Sequence, residues 1–294
     1  MNIQSVSICV PAQKCINDCK FCCSKMHAAD YPDYFSDIRY YASFADDMRK
    51  RLEYARENGC NTCMLTGNNE PQQNKAFLRV FSEVNKTLRA PFHNIEMQTS
   101  GAFIDPEFLD FFKYSVGLTT IAISVSCLDD DEKNREMIRT SDAFLNLKKL
   151  CQEAKKRNIN LRICLNMNDE ILVHHDYSPE NIIRLCTELE ADQITFRALW
   201  APDDSTEQGK WISEHVTEKT MNFIDQLKAD IRKNGKYLDT LEYGANRYDY
   251  FGFSVVIDED SMAQEENKTA VKYLILRPNG HLYSKWDSKA SLIF

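Results

Sequence analysis

The chain has 294 residues, 43% of them hydrophobic and 27% charged, and a net charge of −8. It is long enough to bury a sizeable core, and no apolar run could cross a membrane. The acidic balance argues against nucleic acid, because a phosphate-backbone partner calls for a basic footprint.

Eleven cysteines, an odd number, accompany an N-terminus, MNIQSVSICV, that lacks the basic region and cleavage site of a secretory leader. A disulfide framework is therefore not expected. The expected location is the cytoplasm, with thiols kept reduced around a metal.

Ser5–Val10 alternates small polar with apolar residues and reads as the first strand. A loop carrying Cys15, Cys19 and Cys22 follows. Met26–Asp37 is irregular and aromatic, either a cover for a ligand or packing for outer helices. Asp37–Asn58 reads as a helix ended by Gly59. Cys60–Thr66 is a second strand, and Asn74–Arg89 a helix stopped before Pro91. Asn94–Ser100 is a third strand. Asp105–Tyr114 is a helix opened by Asp-Pro.

Thr120–Ser126 is the fourth strand. Asp129–Arg157 is helical, in two pieces around Thr140-Ser141-Asp142. Asn160–Met167 is the fifth strand, Pro179–Leu189 a helix and Gln193–Leu199 the sixth strand. Beyond a polar loop, Ser213–Asn234 reads as one helix and Phe251–Ile257 as an apolar segment. An acidic loop follows, then a hairpin over Val271–Trp286 turning at Pro278-Asn279-Gly280.

Strands alternating with helices predict right-handed βαβ units and a parallel sheet. Period two separates the strand faces. Ile121, Ile123, Val125, Leu161, Ile163, Leu165, Ile194 and Phe196 should face the helices. The opposite set includes Glu96, Gln98, Ser124, Ser126, Arg162, Cys164, Asn166, Thr195 and Arg197, and predicts a polar lumen filled by ligand or water. Ligands in such folds bind at the carboxyl ends of the strands. The cysteine loop lies at that end.

Three thiols at C-x3-C-x2-C spacing leave two metals open: zinc, with a fourth ligand from elsewhere, or an iron–sulfur cube with one iron free. The motif, with aromatic Phe21 before Cys22, resembles the signature of the radical S-adenosylmethionine (SAM) enzymes. The resemblance spans roughly residues 5–200. It implies a partial (β/α)6 TIM-like barrel in 1–200, with Cys15, Cys19 and Cys22 holding a [4Fe–4S] cluster.

In that family the open iron chelates SAM, an electron breaks the C5′–S bond, and the 5′-deoxyadenosyl radical takes hydrogen from substrate. The turn Thr66-Gly67-Asn68-Asn69-Glu70-Pro71 resembles the family's Gly-Gly-Glu-Pro segment, with Asn69 in place of the second glycine. A positive φ at that position is one that Asn tolerates. The resemblance also marks Phe21, Thr99, Ser124, Ser126, Asn166 and Arg139 for SAM. Arg139 or Arg162 would pair its carboxylate.

Cys164 and Cys127 are candidate hydrogen-atom donors to a substrate radical. Cys60, Cys63 and Cys23 read as bystanders, and His174-His175-Asp176 as a solvated loop. Residues 201–294, a helix and β-hairpin, are expected to close the barrel and shape the substrate pocket. No cysteine follows Cys186, which argues against a second cluster. The expected substrate is a peptide or small molecule, and the expected partner an external one-electron reductant such as flavodoxin or ferredoxin. The alternatives are radical modification of a nucleotide or tRNA base, and a non-catalytic metal-binding module.

Overall fold

The computed structural model describes residues 2–12, 14–26, 38–141, 145–174, 177–201, 203–240, 245–258, 270–286 and 288–294. Its first part alternates strands and helices: β1 (Asn2–Cys9), α1 (Cys23–Met26), α2 (Ile38–Glu57), β2 (Thr62–Thr66), α3 (Lys75–Thr87), β3 (Asn94–Thr99), α4 (Pro106–Asp110), β4 (Thr120–Val125), α5 (Asp131–Ile138), α6 (Leu147–Lys156), β5 (Asn160–Met167), α7 (Asp169–His174), α8 (Pro179–Glu188) and β6 (Gln193–Ala198). The remainder holds α9 (Glu207–His215), α10 (Glu218–Asn234), β7 (Lys236–Thr240), β8 (Asn246–Tyr250), β9 (Phe253–Asp258), β10 (Ala270–Leu276) and β11 (Leu282–Tyr283).

All strands join one sheet in the order β11-β10-β1-β2-β3-β4-β5-β6-β9-β8-β7. Pairing is parallel from β10 through β9 and antiparallel at both ends. The mixed α/β architecture is thus a mostly parallel partial barrel around β1–β6, an open sheet rather than a closed ring. The last third contributes one parallel strand to each side, β10 beside β1 and β9 beside β6. Hydrogen bonding of the predicted hairpin to the first strand could not be read from its own residues.

The strand faces divide as periodicity demands. Ile121, Ile123, Leu161, Ile163, Leu165 and Ile194 are fully buried in the core between sheet and helices. Each such side chain contributes about 1.5–3 kcal/mol. Cys60 and Cys63 lie in the same core.

Local signals account for most boundaries. Asn74, Asp105, Asp130, Asn146 and Ser178 each accept a backbone N–H at a helix start. The predicted single helix Ser213–Asn234 is instead two, α9 and α10. Val216 leaves helical geometry, and Thr217 caps the new start. The predicted helix Asp105–Tyr114 keeps one α-turn, then widens over Phe111–Val116 to a left-handed stop at Gly117. Residues 27–37, 175–176 and 259–269 fall outside the described residues, and with them most of the aromatic segment, the His174-His175-Asp176 loop and the acidic loop. Among the described residues no helix is long and apolar enough to cross a membrane.

Candidate active site

The cysteine loop is held by side chains of the turn that follows β2. Asn69 Nδ2 donates to the Val10 carbonyl at 2.8 Å, Asn74 Nδ2 to Pro11 at 2.7 Å, and Gln73 Nε2 to Lys14 at 2.7 Å. Gln73 Oε1 accepts from the Ile16 N–H at 3.2 Å. Asn17, buried between Cys15 and Cys19, donates through Nδ2 to Glu70 Oε1 at 2.9 Å and to Ser100 Oγ at 2.8 Å. On the other side, the Asp18 and Lys20 N–H groups donate to the Ile138 and Met137 carbonyls, where α5 ends. Phe21 packs against Trp211 of α9, ring centroids 5.8 Å apart. The loop is thus fixed from both flanks.

The three thiols influence one another. Burial pushes the Cys22 thiol up to about 12, with Cys23 and Cys15 adding to the shift. Burial likewise holds Cys19 well above its ordinary value, and the neighbouring Cys22, Glu70 and Cys15 charges push the same way. Cys15 is raised mainly by burial, and Glu70 adds to it. Such thiols are neutral until a cation replaces their protons. Among the described residues, no three His, Cys, Asp or Glu side chains already stand as a cation cage. The donor chemistry nonetheless fits a thiolate-bound metal: three mutually repelling thiols on an anchored loop, with other buried polar atoms still unsatisfied nearby. Asn17 Oδ1, Asn69 Oδ1 and Ser126 Oγ, all at the carboxyl end of the sheet, have no hydrogen-bond partner.

The residues marked for SAM divide into groups. Gly67 lies so close to β1 that a Cβ would meet the Val10 oxygen at 3.0 Å and nitrogen at 3.2 Å. The positive φ falls on Gly67, at +153°, and not on Asn69, whose side chain is turned back to β1. That corrects the reading of Asn69 as a substitute for a left-handed glycine. Glu70 is not an open carboxylate. Besides Asn17, it accepts from the Thr99 hydroxyl, the Ser100 N–H at 3.1 Å and Gln72 Nε2 at 3.2 Å.

Ser126 and Asn166 are buried at the ends of β4 and β5, Ser124 lies one turn of the pleat below, and Asn68 and Thr66 flank Gly67. Arg139, left-handed at the end of α5, is engaged by Glu207 at 2.7 Å and Asp18 at 3.5 Å. It sits on the outer side of the loop. Of the two candidate hydrogen donors, Cys164 lines the lumen, whereas Cys127 bonds Tyr177 and Asp129 inside the core.

The lumen is a cavity of about 690 Å³. Ser7, Thr66, Glu96, Gln98, Cys164 and Thr195 line it from the barrel, and Val256, Lys272, Tyr273 and Trp286 from the last third. Glu96 and Arg162 pair across it. Cys23 and Ser24 of α1 reach its rim, and Ser24 Oγ donates to the Gly67 carbonyl at 3.2 Å. Sequence reasoning passed over Asn17, Gln72 and Gln73 as functional. The available signal was the density of amides in Asn68–Asn74, more than one helix start can use.

The profile of the radical SAM superfamily matches residues 9–189. No curated protein is detectably similar in sequence. Among solved structures, His-tagged anSMEcpe with bound AdoMet has a TM-score of 0.64 at 13% identity, covering 100% of this chain and 74% of that one. Native anSMEcpe with bound AdoMet and Kp18Cys peptide gives 0.59 at 12%, covering 99% and 77%. Streptococcus suis SuiB bound to S-adenosylmethionine gives 0.54 at 14%, and the chain, 96% covered, spans 60% of SuiB's length.

Proposed function

The chain belongs to the radical SAM superfamily, and from that membership we propose that this enzyme binds its cluster through Cys15, Cys19 and Cys22 and acts on a peptide or small molecule held in the lumen. The cofactors of the family are a [4Fe–4S] cluster and SAM, which together supply a 5′-deoxyadenosyl radical able to take a hydrogen atom from unactivated carbon. The observation that carries the reading is the anchored cysteine loop at the mouth of a polar cavity.

Each group then has a task. The turn after β2 fixes the loop, and Thr66, Gly67 and Asn68 form the adjoining wall for SAM. Asn69 and Ser126 offer unsatisfied oxygens, which a ligand's ammonium or hydroxyl groups can fill. Thr99, Ser124 and Asn166 continue that polar rim, and Phe21 backs it. Cys164 is the better-placed hydrogen donor to a product radical, because its thiol lines the lumen. Residues 201–294 act as the substrate-side wall. The reductant is a small one-electron carrier such as flavodoxin or ferredoxin. The peptide in the anSMEcpe complex supports a peptide among the possible substrates.

Anaerobic reconstitution with iron and sulfide tests the reading. The wild type and Cys60→Ala should load a cluster and release 5′-deoxyadenosine from SAM under a strong reductant, while Cys19→Ala should not. SAM cleavage retained in Cys19→Ala would refute the ligand assignment. A colourless protein with tightly bound zinc would sink the enzyme reading.

A further inference from the structure

The charges lining the lumen are unequal. Among the described residues, three cations, Arg162, Arg197 and Lys272, line it beside one carboxylate, Glu96. The chain as a whole carries −8, so a cationic interior is not a reflection of composition. Glu96 is taken up by Arg162. That pair lies toward the amino end of the strands.

Arg197 is placed differently. In the β5–β6 register it is level with Asn166, whereas Arg162 is level with Gln193. Four residues along a strand correspond to about 13 Å. Arg197 therefore sits near the carboxyl end, toward the cysteine loop. Cys23 of α1 lines the same cavity.

Arg197 Nε is buried without a hydrogen-bond partner, and among the described residues Arg197 forms no ion pair. Its register partner on β9 is Asp258. The side chain is half-buried, and the cost falls on the Nε, which is cut off from water without a protein acceptor. Its planar fork matches a carboxylate or phosphate bidentately. Tyr273 and Trp286 add an aromatic wall to the same cavity.

We propose that Arg197 is the anchor for a compact oxyanion on the substrate, a carboxylate or a phosphate, held in the lumen beneath the cysteine loop. This rests on the lumen being the substrate site and names the chemistry of what enters it. The anion tethers one end of the substrate and leaves the rest to lie between the aromatic wall and Cys164. Arg197 is then a specificity-determining residue whose partner arrives with the substrate.

Calorimetric titration of the reconstituted full-length protein tests this with defined probes: glutarate, inorganic phosphate and the neutral isostere glutaramide. Saturable binding of glutarate or of phosphate is expected, whichever binds tighter identifying the source, with glutaramide silent. Arg197→Gln should weaken that binding at least tenfold and Arg197→Lys should recover part of it. Arg184→Gln, which removes an exposed guanidinium on α8, should change nothing. Because Arg197→Gln removes a half-buried charge whose Nε has no acceptor, its melting temperature should equal or exceed that of the wild type.

Equal binding by wild type and Arg197→Gln, or no saturable binding of either anion, would overturn the proposal. So would a tenfold loss of SAM affinity in Arg197→Gln, which would assign the guanidinium to the SAM carboxylate. Binding is read here rather than turnover. A protein that binds glutarate through Arg197 but releases no 5′-deoxyadenosine would refute the radical reading and leave this one standing.

Discussion

Asn17→Ala should uncouple the cysteine loop from the sheet. The side chain is buried and its Nδ2 makes two hydrogen bonds, to Glu70 at 2.9 Å and to Ser100 at 2.8 Å. A bond to a charged group is worth about 1.5–3 kcal/mol and one to a neutral group about 0.5–1.5. Glu70 keeps the Thr99, Ser100 and Gln72 donors after the change, so no charge is left unmatched. The loss should fall at the low end of the sum, about 2 kcal/mol, or about a 30-fold fall in the ratio of docked to undocked loop. Iron and sulfide content after limited anaerobic reconstitution reads the loop, and a thermal melt of the metal-free protein reads the fold. Reduced loading and a melting temperature lower by a few degrees are expected. Wild-type loading together with an unchanged melt would show that the Asn17 bonds do not position the loop.

Two further outcomes follow from other parts of the frame. Gly67→Ala places a methyl group 3.0 Å from the Val10 oxygen and 3.2 Å from its nitrogen, both backbone. It should cost about 1–3 kcal/mol, and a denaturation midpoint equal to wild type would contradict the close approach. The Asp169 carboxyl is raised by burial, but bonds from Thr217 and Thr220 outweigh this and hold it below its ordinary value of 3.8. A depressed carboxyl contributes stability that is present above the unfolded pKa and lost as pH falls through the folded one. The melting-temperature gap between wild type and Asp169→Asn should therefore be full at pH 7 and close below pH 3.8. A gap that persists into strong acid would refute it.

The sequence made the repeating core legible because hydrophobic period and helix caps are local. Ile121, Ile123, Leu161 and Ile163 declare a buried strand face without reference to anything distant. The polar lumen followed from the same alternation, and Arg162, Cys164 and Thr195 do line it. The last third was less legible. Lys236–Thr240 and Asn246–Tyr250 are charged, exposed or aromatic, and become strands only through antiparallel pairing, β8 with β9 and β7 with β8. The partnership of β10 with β1 spans almost the whole chain, and local patterning carries no trace of it. The same holds for Asn17 with Glu70, and for Arg139, whose partners Asp18 and Glu207 come from distant segments.

The position of Glu70 explains why so many amides surround the cysteine loop. A carboxylate next to three thiols opposes their ionisation, and it does raise Cys15 and Cys19. If charge alone decided, a neutral residue would suit the site better. Glu70 instead works as an acceptor: its two oxygens collect N–H and O–H donors from the loop, from Ser100, from Thr99 and from Gln72. Glutamine in its place would turn an NH₂ group toward N–H donors of Asn17, Ser100 or Gln72 that have nothing to accept with, the Thr99 hydroxyl alone being able to reverse its role. Four donors, from the loop, the end of β3 and the turn of Glu70 itself, meet at one carboxylate. Under the proposed ligand assignment, the repulsion it adds to the thiols is met by metal binding, since ligation would replace the protons that the buried thiols otherwise keep. The carboxylate thus favours neutral thiols while the loop is metal-free and holds the same loop rigid for ligation. On the proposed ligand assignment, docking of the loop and loading of the metal are therefore linked through Glu70, with Asn17 as the contact that reaches from the loop to it.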